Sequence, residues 1–343
     1  MPGYRIELEL RSGLGTPLAA DTLWGHIAWG IRYRRGNQAL EDWLAAYDGP
    51  EPPLVISDPL PHGFFPRPAL PRAARPAKLP PKDEADHMKR LEKRAWISWE
   101  AWGQTAAAVS PDSIQQALAA APQPVPMAVT RAGVNRLTGG TAQPEGGTLF
   151  TAEQAYFGFD CPARFDVWCR SPQPAETVRR WFADGLAGGY GRDASAGLGY
   201  LAVVGIEERE LPGLDAPNAC VLLGPAVPRR GDPHRGFFRL GVRCGRLGGE
   251  FAVGPLPGGA TQRHKRPVRV LMAGTLLIAA PVPAYVGRVL RGVHAEIEAI
   301  RHYGIAPVLP CRVEGPVLSH RLVSVPPTAG CPSSPPVQQN GLS

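Results

Sequence analysis

No run of this sequence reaches the ~18 consecutive apolar residues that a membrane helix needs, so a chain outside the membrane is expected. The opening residues, MPGYRIELELRSG, alternate apolar and charged side chains and read as a strand rather than a signal peptide. Cysteine is sparse and irregular. Cys161, Cys169, Cys220, Cys244, Cys311 and Cys331 form no CxxC pair, which argues against a structural zinc site or a disulfide framework and for free thiols in a reducing cytoplasm. The sequence also lacks HExxH, a paired HD and a GGDD-like acidic turn. Metal-dependent phosphodiester chemistry therefore has no support, and no cofactor is expected.

What is present points elsewhere. The 343 residues suffice for two ordinary domains, and 40 glycines with 39 prolines suit short strands and long loops. A formal net charge of +7 suits an anionic partner such as nucleic acid. A GC-rich genome that uses Arg in place of Lys would leave the same excess.

The pattern of apolar residues sets the order of elements. Ile6, Leu8 and Leu10 alternate with Arg5, Glu7, Glu9 and Arg11 as a half-buried strand. A helix follows, capped by Asp21 or Thr22, with Leu23, Ile27 and Ile31 as its buried stripe. A second short helix is expected over Gln38 to Tyr47. Eleven prolines between Pro50 and Pro81 exclude a long helix and predict a surface excursion with extended pieces such as Leu54–Ile56. Trp96, Trp99 and Trp102 are spaced as one helix face. Pro111 to Ala121 reads as a short helix, Val125 to Phe159 as strands around a long loop, and Arg164 to Arg170 as a strand. Ala175 to Ala187 reads as a helix, and a glycine-rich loop then opens a strand at Leu198 to Val204.

The first 205 residues thus give the βαββαβ order of a ferredoxin-like unit, with an insertion over residues 50–125 and a hairpin over 130–157. Strands at Phe237 to Arg243, Val268 to Met272 and Thr275 to Ala279, with Tyr285 to Val293 as strand or short helix, suggest a second, degraded unit over residues 206–325. Residues 326–343 are expected to be a disordered tail. The fold class is α+β, two ferredoxin-like (RRM-like) domains with long loop insertions.

Three segments carry candidate chemistry. The loop from Gly185 to Gly199 offers Gly188, Gly189, Gly191, Gly197 and Gly199 around Arg192 and Ser195. Its glycines let backbone approach phosphate, and Arg192 adds charge. A Rossmann loop is excluded, because that loop follows a strand and opens a helix. In the hairpin, Arg131 and Arg136 flank Asn135, a set that holds phosphates and base edges. A solvated turn would look the same. The stretch Arg229 to Arg269, including His264, Lys265 and Arg266, sets ten basic residues against Asp232 and Glu250. Lys78 lies in another basic stretch, from Arg67 to Arg94. Such residues give sequence-independent affinity for a polyanion. His26 lies on the first helix with Trp29, Gly30 and Tyr33. It is read as a structural or RNA-stacking histidine, with general-base chemistry as the alternative. Ser195 has no nucleophile elbow.

The segments resemble, in order, the RAMP proteins of CRISPR systems. GGYGRDASAGLGY is similar to that superfamily's glycine-rich loop. DTLWGHIAWGIRY, PPLVISDPLPHGFFPRPALP, GVNRLTGGTAQPEGGTLFTAEQAYF and RPVRVLMAGTLL followed by RHYGIAPVLP resemble the Cas-five-like Csm subunit of type III-A effectors. The resemblance spans residues 1 to about 310. Val134-Asn135-Arg136 departs from an Ile-Asp-Arg, Arg192-Asp193-Ala194-Ser195 is less basic than usual, and His26 replaces a small residue.

The resemblance implies two ferredoxin-like domains and no catalytic activity. It implies binding of the 5′ repeat-derived tag of CRISPR RNA, with target RNA nearby and a large polymerase-like subunit and a backbone ribonuclease subunit as partners. The hairpin around Arg131 to Phe150 would wedge between tag and guide. Arg136 matches the hairpin arginine, and Gly188, Gly189, Arg192, Ser195 and Gly197 match the glycine loop. A metal-independent endoribonuclease with His26 as base, and a purely architectural subunit, are the competing readings.

Overall fold

The structure is a computed structural model that describes residues 1–71, 94–134, 140–141, 149–158, 163–319 and 323–324. Strand β1 (Gly3–Leu10) buries Tyr4, Ile6, Leu8 and Leu10 and turns Arg5, Glu7 and Glu9 outward, as its alternation requires. Helix α1 (Ala20–Ala45) buries Leu23, Ile27 and Ile31 as read from the sequence. It is interrupted at Gly36, whose φ of 87° breaks the helix and separates the two helices expected there.

The cap differs from expectation. Helix α1 begins two or three residues early, after Ala19, and neither Asp21 nor Thr22 caps it. The carboxylate of Asp58, 38 residues on, accepts the Ala20 amide hydrogen at 2.8 Å instead.

The described part of the proline-rich segment, up to Pro71, is largely buried over residues 52–61, which corrects the surface excursion there. Its strands β2 (Val55–Ile56) and β3 (Leu60–Pro61) pair with the later strand over Ala163–Arg170. Pro52, Pro53, Pro59 and Pro61 are all buried. Two-residue edge pieces lose little ladder to proline, so the ring is free to serve as an apolar filler. Beyond them, β4 (Phe64–Pro66) pairs with β5 (Trp96–Ser98). Helices α2 (Trp99–Thr105) and α3 (Pro111–Ala117) follow, then β6 (Leu118–Ala119). The tryptophan triad is not one helix face: Trp96 lies in β5, Trp99 opens α2, and only Trp102 is fully buried.

An exposed hairpin follows, β7 (Val125–Ala132) against β8 (Leu149–Tyr156), in register from Val125↔Tyr156 to Ala132↔Leu149. Strand β9 (Ala163–Arg170), helix α4 (Ala175–Leu186) and β10 (Leu201–Glu208) complete the first sheet. Its order is β10-β1-β9-β2, all antiparallel, with β3 also on β9. Helices α1 and α4 meet at two glycines. A Cβ on Gly30 would fall 2.7 Å from the Gly185 nitrogen, and one on Gly185 would fall 2.8 Å from the Ile27 nitrogen. Backbone contact this close requires both residues to be glycine.

The rest of the chain is mostly strand. The sheet order β16-β17-β11-β15-β12-β18 joins β11 (Ala219–Leu222), β12 (Arg235–Phe237), β15 (Leu276–Ile278), β16 (Tyr285–Gly287), β17 (Ile305–Cys311) and β18 (Val323–Ser324). A separate ribbon pairs β13 (Leu240–Arg243) with β14 (Val268–Leu271). The strand expected over Phe237 to Arg243 is therefore two strands in two sheets. Among the described residues after 205 the single α-helix is α5 (Gly315–Ser319), so the helix pair of a second βαββαβ unit is not found among them. The tail over residues 326–343 lies outside the described residues.

One core runs across both halves. Tyr303 and Ile305 join the cluster built on β1, α1 and α4. The Tyr303 hydroxyl accepts from the Ile56 amide at 2.6 Å, and its ring stacks on Trp24 at 5.5 Å. Strand β9 is buried on both faces: Phe165, Val167 and Cys169 face the first cluster, while Trp168 faces a second with Phe65, Trp102, Val221 and Leu309.

Candidate nucleic-acid interface

The β1–α1 loop, the α4–β10 loop and the base of the β7–β8 hairpin converge. Leu14 exchanges two backbone hydrogen bonds with Ala155 of β8, at 2.8 and 2.9 Å. Gly199 donates to the Gly13 carbonyl at 2.8 Å and accepts from Tyr190 at 2.8 Å. A Cβ on Gly199 would fall 1.9 Å from the Tyr190 oxygen, and its φ is +68°. Only glycine fits there. Tyr190 is buried and anchors the loop from below. Its hydroxyl accepts from the Ala19 amide and donates to the Pro17 carbonyl, both at 2.9 Å. Burial pushes that hydroxyl well above the ordinary tyrosine range.

The upper side of the loop is polar and open. The Gly191 amide donates to His26 Nε2 at 3.0 Å, and the Arg192 amide donates to Thr16 Oγ1 at 2.9 Å. Both amides are thereby spent within the protein. Arg192 itself is exposed, and its Nη2 donates to the Glu153 carbonyl of β8 at 2.7 Å. Asp193, at φ +60°, pairs with Arg131 of β7 at 3.3 Å and lies 3.8 Å from Arg192. Ser195 and Gly197 form an exposed 3₁₀ turn, with Gly197 at φ +88°. Gly188 is exposed, and Gly189 sits at φ +82°.

His26 is held neutral. Burial lowers its pKa to about 4, and its Nε2 lone pair is occupied by the Gly191 amide. The ring lies 5.3 Å from that of Tyr190. This is a positioning contact for the glycine turn, with no proton-accepting nitrogen at Nε2 for a substrate.

The expected residues thus fall into groups. His26, Arg131, Gly188, Gly189, Arg192, Ser195 and Gly197 come together. Asn135, Arg136 and Lys78 lie outside the described residues. His264, Lys265 and Arg266 sit in the second half, beside β14. His264 bridges to Arg246, and the exposed Arg266 donates its amide to Val293. Lys265 turns inward: Nζ donates to the Arg301 carbonyl at 2.7 Å, and burial brings its pKa down to about 8. Sequence reasoning missed Thr16, Asp193 and Glu153. Asp193 has no local signal, because its arginine partner lies 62 residues away, and Glu153 takes part only through its backbone carbonyl, which any residue would supply.

The outer face of the first sheet is a different environment. Arg5 pairs with Asp166 and Glu207, and Arg164 with Glu7 and Glu9. Its acids are interleaved with its bases, so this face presents no continuous positive surface.

Among the described residues no group of three or more His, Cys, Asp or Glu side chains could hold a metal ion, and no helix is long and apolar enough to cross a membrane. Cys169, Cys220 and Cys311 are buried and free, and Cys244 is exposed and free. Cys161 and Cys331 lie outside the described residues.

No protein-family profile matches the chain, and no curated protein matches it by sequence. Solved structures do. A chain of a Csm1–Csm4 cassette in complex with pppApA aligns with a TM-score of 0.52 at 17% identity, over 91% of this chain and 99% of that one. The same cassette in complex with cA4 aligns with a TM-score of 0.52 at 16% identity, again over 91% and 99%. A Csm3–Csm4 subcomplex of a type III-A CRISPR–Cas interference complex aligns at 0.49 and 14% identity, over 90% and 99%. With its antiparallel sheets and α+β make-up, the chain has the fold of the Csm cassette chain it aligns with, in line with the family that its sequence motifs resemble.

Proposed function

We propose that this chain is a non-catalytic, RNA-binding subunit of a type III-A Csm effector, which grips the 5′ repeat-derived tag of CRISPR RNA. In this reading its first half is a ferredoxin-like RAMP unit. It joins a large polymerase-like subunit to the backbone ribonuclease subunit. The observation that carries the reading is the junction of hairpin and glycine turn through Arg131–Asp193 and Arg192–Glu153. Two guanidinium groups at one exposed junction, beside a turn where Gly191 and Gly199 leave no room for a Cβ, suit a strand of phosphates. The Csm cassette fold supports the partner assignment.

Fluorescence anisotropy on labelled tag RNA, across a salt series, tests it. Replacing both Arg131 and Arg192 by Ala is expected to weaken binding at least tenfold, and to lower the slope of log affinity against log salt by roughly one for each phosphate left without its arginine. Unchanged affinity in the double variant would remove this site. Specific cutting of repeat RNA in EDTA, abolished in His26→Ala, would replace the reading with the endoribonuclease one.

A further inference from the structure

A cavity of about 280 Å³ opens in the second half of the molecule, built on the loop from Pro228 to His234. Its walls include Pro228, Pro233, Phe238 and Leu271. Its lining also includes Arg230 and His234, both exposed and neither with an intramolecular partner among the described residues. The volume is at the small end of ligand sites, and the lining pairs an apolar, partly aromatic wall with cationic and imidazole donors.

The loop is held in place from inside. Asp232 is buried, and its Oδ2 accepts from the Arg229 amide at 2.9 Å and from the Gly287 amide at 2.8 Å. Its Oδ1 accepts from Arg229 Nε at 3.3 Å. Both carboxylate oxygens are thus committed, and their charge is offset by Arg229, whose guanidinium also lies 5.4 Å from the Tyr285 ring centroid. Asp232 therefore presents no uncommitted carboxylate oxygen to an anion in the cavity, while Arg230 presents a free guanidinium. Leu271 is fixed by paired hydrogen bonds with Ala226, both 2.8 Å. The apolar and the polar lining residues therefore sit on one tied-down frame.

We propose that this cavity is a nucleotide site: it takes one base against Phe238 and the prolines, with the attached phosphate held by Arg230 and His234. A flat ring joined to an anion is the chemistry that this lining matches. Base–aromatic contact with a cationic neighbour is how single-stranded nucleic acid is held without sequence preference. The ligand is either a nucleotide within an RNA strand or a free mononucleotide. The site is separate from the glycine turn and does not depend on it.

The test crosslinks the whole chain to single-stranded RNA containing 4-thiouridine and maps the adducts by mass spectrometry, with calorimetric titration of UMP alongside. The expected result is an adduct within residues 228–238 that falls about tenfold in an Arg230→Glu, His234→Ala variant. Arg230 and His234 lie at the surface, so the variant's thermal midpoint should match the parent's. UMP binding that the same variant abolishes, without RNA adducts there, would assign the site to free nucleotide. Adducts at the glycine turn alone, with no UMP binding, would overturn this proposal and leave the tag-binding one standing. Adducts at 228–238 alone would do the reverse.

Discussion

At the scale of single residues, the decisive groups act on backbone rather than on substrate. Asp58 caps a helix from a distance, and burial raises its pKa to about 7. A carboxyl raised in this way is stabilising in its protonated form, so its contribution declines as pH rises from about 4 through 7. Asp58→Asn keeps an acceptor for Ala20 and removes the titration, so its stability at pH 8 should equal or exceed the parent's. Asp58→Ala loses the cap and should cost about 1–2 kcal/mol in urea unfolding. His26 works in the opposite sense. Its pKa falls to about 4, so stability is complete above its unfolded value of about 6.5 and is lost as pH drops towards 4. His302, also lowered to about 4 by burial, acts in the same window. In His26→Gln the amide oxygen replaces Nε2 as acceptor, and the urea midpoint should then depend less steeply on pH between 6.5 and 4. An NMR titration of the His26 ring should give a midpoint well below 6.

At the scale of elements, the α1–α4 contact and the hairpin show what the sequence could and could not tell. A methyl at residue 185 meets α1 backbone rather than a movable side chain. Gly185→Ala should therefore force the helices apart and cost about 1–3 kcal/mol, read as a lower thermal midpoint. Gly188→Ala meets nothing within 4 Å and should be silent. Periodicity made β1, α1, α4 and β9 legible, because each places a period-2 or period-3.6 apolar pattern against one core. It failed for Pro52–Pro61. There the proline count mimics a loop, while burial is decided by β9, more than a hundred residues away. The site was partly legible for a similar reason. Glycines and arginines mark the turn and the hairpin, but the Arg131–Asp193 pair joins residues 62 apart, and no local pattern encodes it.

At the scale of the whole molecule, the question is whether residues 1–205 are a domain in the thermodynamic sense. The strand order of the first sheet suggests a self-contained unit, but its packing does not. Tyr303 both accepts from the Ile56 amide and stacks on Trp24, and the second core covers Trp168 with Val221, Leu276 and Leu309. Cutting the chain after residue 210, which keeps β10 whole, would uncover the side of Trp168 that faces Val221, Leu276 and Leu309, while Phe65 and Trp99 stay against it; each 100 Å² of apolar surface so exposed costs about 2.5 kcal/mol at 25 cal/mol per Å². It would also remove the Tyr303 hydroxyl from the Ile56 amide and its ring from Trp24. Summed over the shared core, losses of this kind are large against the stability of an ordinary domain, about 5–15 kcal/mol. The 1–210 fragment is therefore expected to lack a cooperative thermal transition and to bind a hydrophobic dye, while the full chain unfolds in one step by calorimetry. A fragment that melts cooperatively near the parent's midpoint would show instead that the two halves fold independently, and that the shared core is an interface between domains.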